Sequence, residues 1–92
     1  MFVGLLTVEI FIPGSNSLKS KRYVVSSLKD RLRNKFNVSV AEDANNLWQR
    51  TTVSIACVSN KKNHLQETMQ KVKDLILQET DFEVINHLVE IF

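Results

Sequence analysis

The apolar residues of this chain follow two spacings in turn, and the order in which those spacings change restricts the fold more than any other feature. From Phe2 to Ile12 the residues alternate. Gly4, Leu6, Val8, Ile10 and Ile12 share one side, and Val3, Leu5, Thr7, Glu9 and Phe11 the other. A repeat of two is that of a β-strand. "PGSNS" ends the run, with Pro13–Gly14 as the strongest turn signal in the sequence. Leu18, Val25, Leu28, Leu32 and Phe36 then recur at steps of seven, three, four and four, which is one face of a helix. That helix is expected at 18–35, with Ser17 as its cap.

"FNVSVA" alternates again, Phe36, Val38 and Val40 against Asn37, Ser39 and Ala41, and "EDANN" reads as a loop. "RTTVSIACVS" gives a third strand, with Val53, Ile55 and Cys57 opposite Thr52, Ser54 and Ala56. "NKKNHLQETMQKVKDLILQE" is a second helix whose inner face holds Leu65, Met69, Val72 and Ile76, with Asn60 or Asn63 as its cap. "FEVINHLVEIF" is a last strand, apolar on both sides, so alternation assigns it no buried face.

The order strand, helix, strand, strand, helix, strand leaves few topologies. Right-handed crossovers put both helices on one side of a four-stranded antiparallel sheet, with the first and third strands central. This is the α+β ferredoxin-like sandwich, βαββαβ, expected as one domain over residues 1–92. The fold hosts many activities and selects none of them.

Composition excludes more than it selects. The single cysteine, Cys57, forbids an internal disulfide, which fits a cytoplasmic setting. Its apolar surroundings in "VSIACV" favour an inert buried thiol over a nucleophile. "MFVGLLTVEIFI" lacks the basic lead-in and cleavage site of a signal peptide, and Thr7 and Glu9 break it well short of a membrane span, so no membrane association is expected. His64 and His87 are far apart in sequence, and no Cys/His/Asp spacing suggests a metal site. Glu42 and Asp43, where a strand enters a loop, read as a solvated turn rather than an acid/base pair. "GSNS" lacks the glycines of a phosphate loop or a dinucleotide fingerprint. The expectation is therefore a non-catalytic protein without a metal or cofactor.

Charge carries the positive signal. Residues 1–35 hold seven Lys or Arg against Glu9 and Asp30, a balance of +5, whereas residues 36–92 hold five against eight acids, a balance of −3. On a helical wheel Lys19, Arg22, Lys29 and Arg33 fall on one flank, roughly 20° to 100° from Leu18. Lys21 points closer to the apolar face, and Arg31 and Lys35 to the opposite flank. Lys19, Lys21 and Arg22 crowd the positive end of the helix dipole, where an anionic partner would offset their mutual cost. Lys19, Lys21, Arg22, Lys29 and Arg33 are the candidate phosphate contacts, against the alternative of a solvated helix face.

"LWQR" adds Trp48 and Arg50 to the candidates. Trp48 is expected to fold over the sheet edge and close the core, and its other role is stacking, with Arg50, on a base or another protein. The open sheet face, read as Thr7, Glu9, Phe11, Asn37, Ser39, Ala41, Thr52, Ser54 and Ala56, offers no aromatic on the third strand. It therefore lacks the stacking pair of an RNA-recognition motif. So small a face, beside an apolar last strand, points to a homodimer through the sheet or an exposed edge.

The runs "VGLL", "IPGSNSLKSKR", "SLKDRLRNKFNVSVAE" and "LWQR" resemble the YlxP-like family of short bacterial proteins. The likeness extends from residue 2 to about 60 and weakens beyond. The resemblance implies a ferredoxin-like fold and, because the family's genes tend to lie among those of translation and ribosome maturation, a role on the ribosome or its RNA. It supplies no catalytic residues. "DANN", between Glu42 and Leu47, is one residue shorter than the usual family loop. Residues and resemblance together lead to an RNA-binding module acting on ribosomal RNA. A protein-interaction or assembly domain is the alternative, and a small enzyme or small-anion sensor built on "PGSNSLK" the third reading.

Overall fold

The structure, a computed structural model, describes residues 1–43 and 45–92. Chain order is β1 (Phe2–Phe11), α1 (Leu18–Lys35), β2 (Ser39–Asp43), β3 (Arg50–Ser59), α2 (Lys62–Leu77) and β4 (Glu83–Ile91). The strands form one antiparallel sheet in the order β2-β3-β1-β4, so β1 and β3 are central, as the crossover argument requires. This is the ferredoxin-like α+β arrangement. Among the described residues, no helix is long and apolar enough to cross a membrane.

The period of two in β1 becomes a two-sided strand. Gly4, Leu6, Val8 and Ile10 are buried, and each faces a buried partner on β3: Cys57, Ile55, Val53 and Thr51. Helix α1 lays Val25, Leu28 and Leu32 over this face, and α2 adds Leu65, Met69, Val72 and Ile76. Gly4 sits where α2 comes closest. A Cβ there would lie 3.0 Å from Met69 Cγ and Sδ and 3.3 Å from Leu65 Cδ1. The missing side chain is what lets the second helix settle onto the first strand.

Ser17 starts α1 as expected, its extended backbone leaving Oγ to accept from Ser20 N at 3.1 Å. The helix closes where Phe36 turns extended and its N–H bonds Leu32 O at 2.9 Å. The start of α2 corrects the sequence reading. Lys61 is the N-cap, with no side-chain cap, while Asn63 Oδ1 accepts only from the adjacent His64 N–H. Ser59 Oγ takes the Lys61 N–H instead.

The second strand is also displaced. It runs from Ser39 through Glu42 and Asp43, residues whose local chemistry reads as loop, while Phe36 and Val38 pack against the core outside the ladder and Asn37 also falls before the strand. The cause is the partner: Glu42 and Asp43 pair with Val53 and Thr52, and Thr51 Oγ1 donates to Glu42 Oε2 at 2.6 Å. The Ala44 position of the expected "EDANN" loop lies outside the described residues.

Register decides the face of β4. Leu6, Val8 and Ile10 oppose Val89, His87 and Val84, which places these three on the helix side of the sheet. Between Asn86 and Val84 the register slips, leaving Ile85 without a β1 partner as a bulge. The helices cover β4 poorly. Val89 is 39% exposed, and Leu88, on the open side, is 57% exposed.

Candidate functional site

Helix α1 presents its two flanks to different neighbours. Arg31 pairs with Glu79, just beyond α2, so that flank faces the second helix. Arg33 Nη2 donates to Val40 O on β2 at 3.0 Å, so the opposite flank overlooks the β2 edge. By helical spacing Arg22 and Lys29 lie on this second flank with Arg33, and Lys19 lies at its outer edge, where it also lines a cleft with Asp81. Lys19, Arg22 and Arg33 are exposed and Lys29 is partly so. Among the described residues none of the four forms an ion pair. The structure thus brings these four candidates together as one unpaired basic stripe. Asp30 lies at its margin, and Tyr23, 78% exposed, flanks it. Its place on the wheel, about 140° from Leu18, lies off the apolar face, a signal that could have found this exposed aromatic.

Lys21 does not belong to the stripe. It is only 3% exposed, within the buried face of α1 beside Val25, Leu28 and Leu32. Its Nζ donates to Asn45 O at 3.1 Å and Asn45 Oδ1 at 3.0 Å. Burying an ammonium demands such partners, because an unmatched one would be expelled or neutralised. This corrects the expectation of a phosphate contact: the ammonium is committed to the chain's own loop.

That loop, residues 45–49, is fixed at several points. Asn45 Oδ1 also accepts from Leu47 N at 2.9 Å. Gln49 Nε2 donates to Ser15 O at 3.3 Å, and Ile12 N donates to Gln49 O at 2.7 Å. The loop is thereby held against the end of β1 and the turn before α1.

Trp48 rides on this loop and is 55% exposed, which overturns the expectation that it closes the core. The core is already sealed at this end by Ile12 and Thr51, at 2% and 1% exposure, so there is no gap for an indole to fill. Trp48 instead lines an open cleft of about 530 Å³ with Phe11, Asn46, Leu47, Gln49 and Arg50. Arg50, opposite Phe11 on the sheet, is exposed and unpaired among the described residues.

A second cleft, of about 450 Å³, lies at the start of α1, where Lys19, Ser20 and Tyr23 meet Ser15, Ser17 and Asp81. Ser15 is buried, and its hydroxyl is used internally, donating to Ser17 O at 3.2 Å. Cys57 is buried in the core, and burial raises its thiol pKa, partly offset by the backbone at Val58.

Residues 3–89 match the family described as "Protein of unknown function (DUF503)". The chain belongs to the DUF503 family. A curated relative, the uncharacterized protein YlxP of Bacillus subtilis (strain 168), is 38% identical over 71 residues, which is 76% of this chain and 77% of that protein. The matched region of the DUF503 family takes in all of α1 and the loop that carries Trp48. The resemblance seen in the sequence is therefore one of family, and the family brings a fold-length match without an assigned activity.

Proposed function

We propose that this protein is a non-catalytic RNA-binding module that grips structured RNA, ribosomal RNA in the first instance, by its phosphates. The observation that carries the reading is the flank of α1: four cations on one side of a helix, none paired with an acid among the described residues. Lys19 with Arg22, and Lys29 with Arg33, are like charges one turn apart that repel one another, and an array of phosphates removes that repulsion while releasing counterions. The open sheet face works in the other direction. By register Glu9, Asp43, Glu83 and Glu90 share it, with Arg50 as the cation opposite Phe11. A phosphate backbone is attracted to the helix side and repelled from the acidic part of the sheet, a repulsion that Arg50 offsets at the Phe11 end.

Salt titration of RNA affinity tests this. Lys19→Gln or Lys29→Gln is expected to lower the slope of log affinity against log salt by about 0.7–0.9, the value of one phosphate contact. Lys71→Gln and Lys73→Gln, the same charge change on α2, are expected to leave the slope unchanged. Equal losses from both helices would reduce the binding to general electrostatics and remove the site.

A specific observation favours a second reading, self-assembly. One end of the open face carries a row of apolar side chains, Val58, Val3 and Phe92, at 59%, 37% and 67% exposure, and Leu88 lies four residues further along the same face, beyond Glu90. Among the described residues the outer edge of β4 faces no strand. An edge pairing antiparallel with its own copy gives a closed two-fold dimer that pairs the β4 edge, and two open faces packed on one another would cover the apolar row. Sedimentation is expected to show a dimer that Leu88→Glu dissociates. A parent that stays monomeric at high micromolar concentration overturns this reading.

A further inference from the structure

We propose that the cleft between Phe11 and Trp48 is a pocket for an unpaired nucleobase, so that the RNA recognised carries a single-stranded nucleotide beside its structured part. The proposal rests on the RNA reading above and extends it from phosphates to bases. Three observations carry it.

The first is the lining itself. Two aromatic residues, Phe11 and Trp48, share a cleft of about 530 Å³ with Arg50, Asn46 and Gln49, the Gln49 amide being already bonded to Ser15 O. Aromatic faces stack on any base, a guanidinium adds cation–π attraction, and amides donate to and accept from base edges.

The second is rigidity. An indole more than half exposed is costly to leave in water, and here its loop is nevertheless tied from behind by Lys21, Ser15 and Ile12. A platform ordered before its ligand arrives loses less entropy on binding. This gives Lys21 its role. It is a positioning residue: its buried ammonium holds Asn45, three residues before the tryptophan.

The third is placement. The same bonds join the loop to the first turns of α1, where Lys19 and Arg22 are exposed. Phosphate contacts and a base pocket thus meet at one end of the molecule. A protein partner would need both an acidic segment for the stripe and an apolar anchor for the cleft. An RNA strand supplies both in every nucleotide.

The chain has one tryptophan, so its fluorescence reports this cleft alone. Two labelled RNAs serve as probes: a hairpin with an unpaired loop, and a duplex of the same stem without one. Both are expected to bind by anisotropy, and only the hairpin to quench Trp48. Trp48→Ala is expected to weaken hairpin binding about 5- to 150-fold, the range for loss of one stacked base, with duplex affinity and salt slope unchanged. Trp48→Phe is expected to restore most of the loss. Lys21→Met, which keeps a buried stem without the ammonium, is expected to erase the preference for hairpin over duplex while circular dichroism shows the fold retained.

RNA binding by anisotropy with no quenching, or with hairpin affinity unmoved in Trp48→Ala, overturns the pocket and leaves the stripe standing. Equal quenching by duplex and hairpin also overturns it, since the indole would then report mere proximity. Binding of neither RNA overturns the RNA reading itself, and the pocket with it.

Discussion

At 0.1 M salt the variant carrying Lys19→Gln, Arg22→Gln, Lys29→Gln and Arg33→Gln is expected to bind ribosomal RNA about a thousandfold more weakly than the parent, and near 1 M salt the two are expected to converge. The size follows from counterion release. Four lost phosphate contacts lower the log–log slope by about 3, so the deficit grows about a thousandfold for each tenfold dilution of salt. Glutamine keeps the polarity and helix propensity of the side chains and is shorter than either, so the main change is the loss of charge. Arg33 also donates to Val40 O, and a polar replacement limits the cost of losing that bond. Far-UV circular dichroism and a melting curve establish that the variant is folded. A folded quadruple variant that binds as tightly as the parent makes the stripe a solvated helix face. An affinity lost equally at all salt concentrations shows that the contacts were not to phosphates.

The second large effect concerns stability. Leu28→Ala is expected to destabilise the domain by about 2–5 kcal/mol, because the lost burial and the cavity left behind add together. Leu28 has no exposed surface and lies midway along the buried face of α1, between Val25 and Leu32. For a chain of this size such a loss lowers the melting temperature by roughly 10–30 °C. Leu47→Ala, at 58% exposure on the Trp48 loop, is the comparison and is expected to stay within about 0.5 kcal/mol. Chemical denaturation of both variants measures the difference. If Leu28→Ala costs under about 1 kcal/mol, α1 does not pack on the sheet as described.

Both predictions depend on features that differ in how far the chain's own letters disclose them. The inner faces of β1, β3, α1 and α2 follow directly from the spacing of Leu, Val and Ile, and Ser17 marks the start of α1 by its capping chemistry. These are local properties. A strand or helix hydrogen-bonds its backbone with a fixed repeat, and burial of one face imprints that repeat on the sequence. The four cations of the stripe are legible for the same reason, since they occupy one flank of a single helix.

Elsewhere the deciding partner is distant in the chain. Glu42 and Asp43 are held extended by β3, and no local signal announces a neighbour across the ladder. Lys21 stands at a wheel position that suits a leucine, but its burial as an ammonium requires Asn45, 24 residues later. Trp48 has the composition of a core residue, and its exposure follows only from Ile12 and Thr51 already closing that end. In β4 alternation fails because both sides are apolar, and register against β1, with the slip at Ile85, makes the choice.

The sequence by itself determined the order of elements, the sheet topology that right-handed crossovers allow, the core faces and the basic flank. Each of these depends on backbone periodicity and chirality, which act over a few residues. Tertiary structure alone decided which charge is buried, which aromatic is left in water and where the loop that carries it is tied. Those outcomes depend on which groups meet across long separations, and a hydrogen bond from Lys21 to Asn45 turned one member of a run of cations into the anchor of the Trp48 loop.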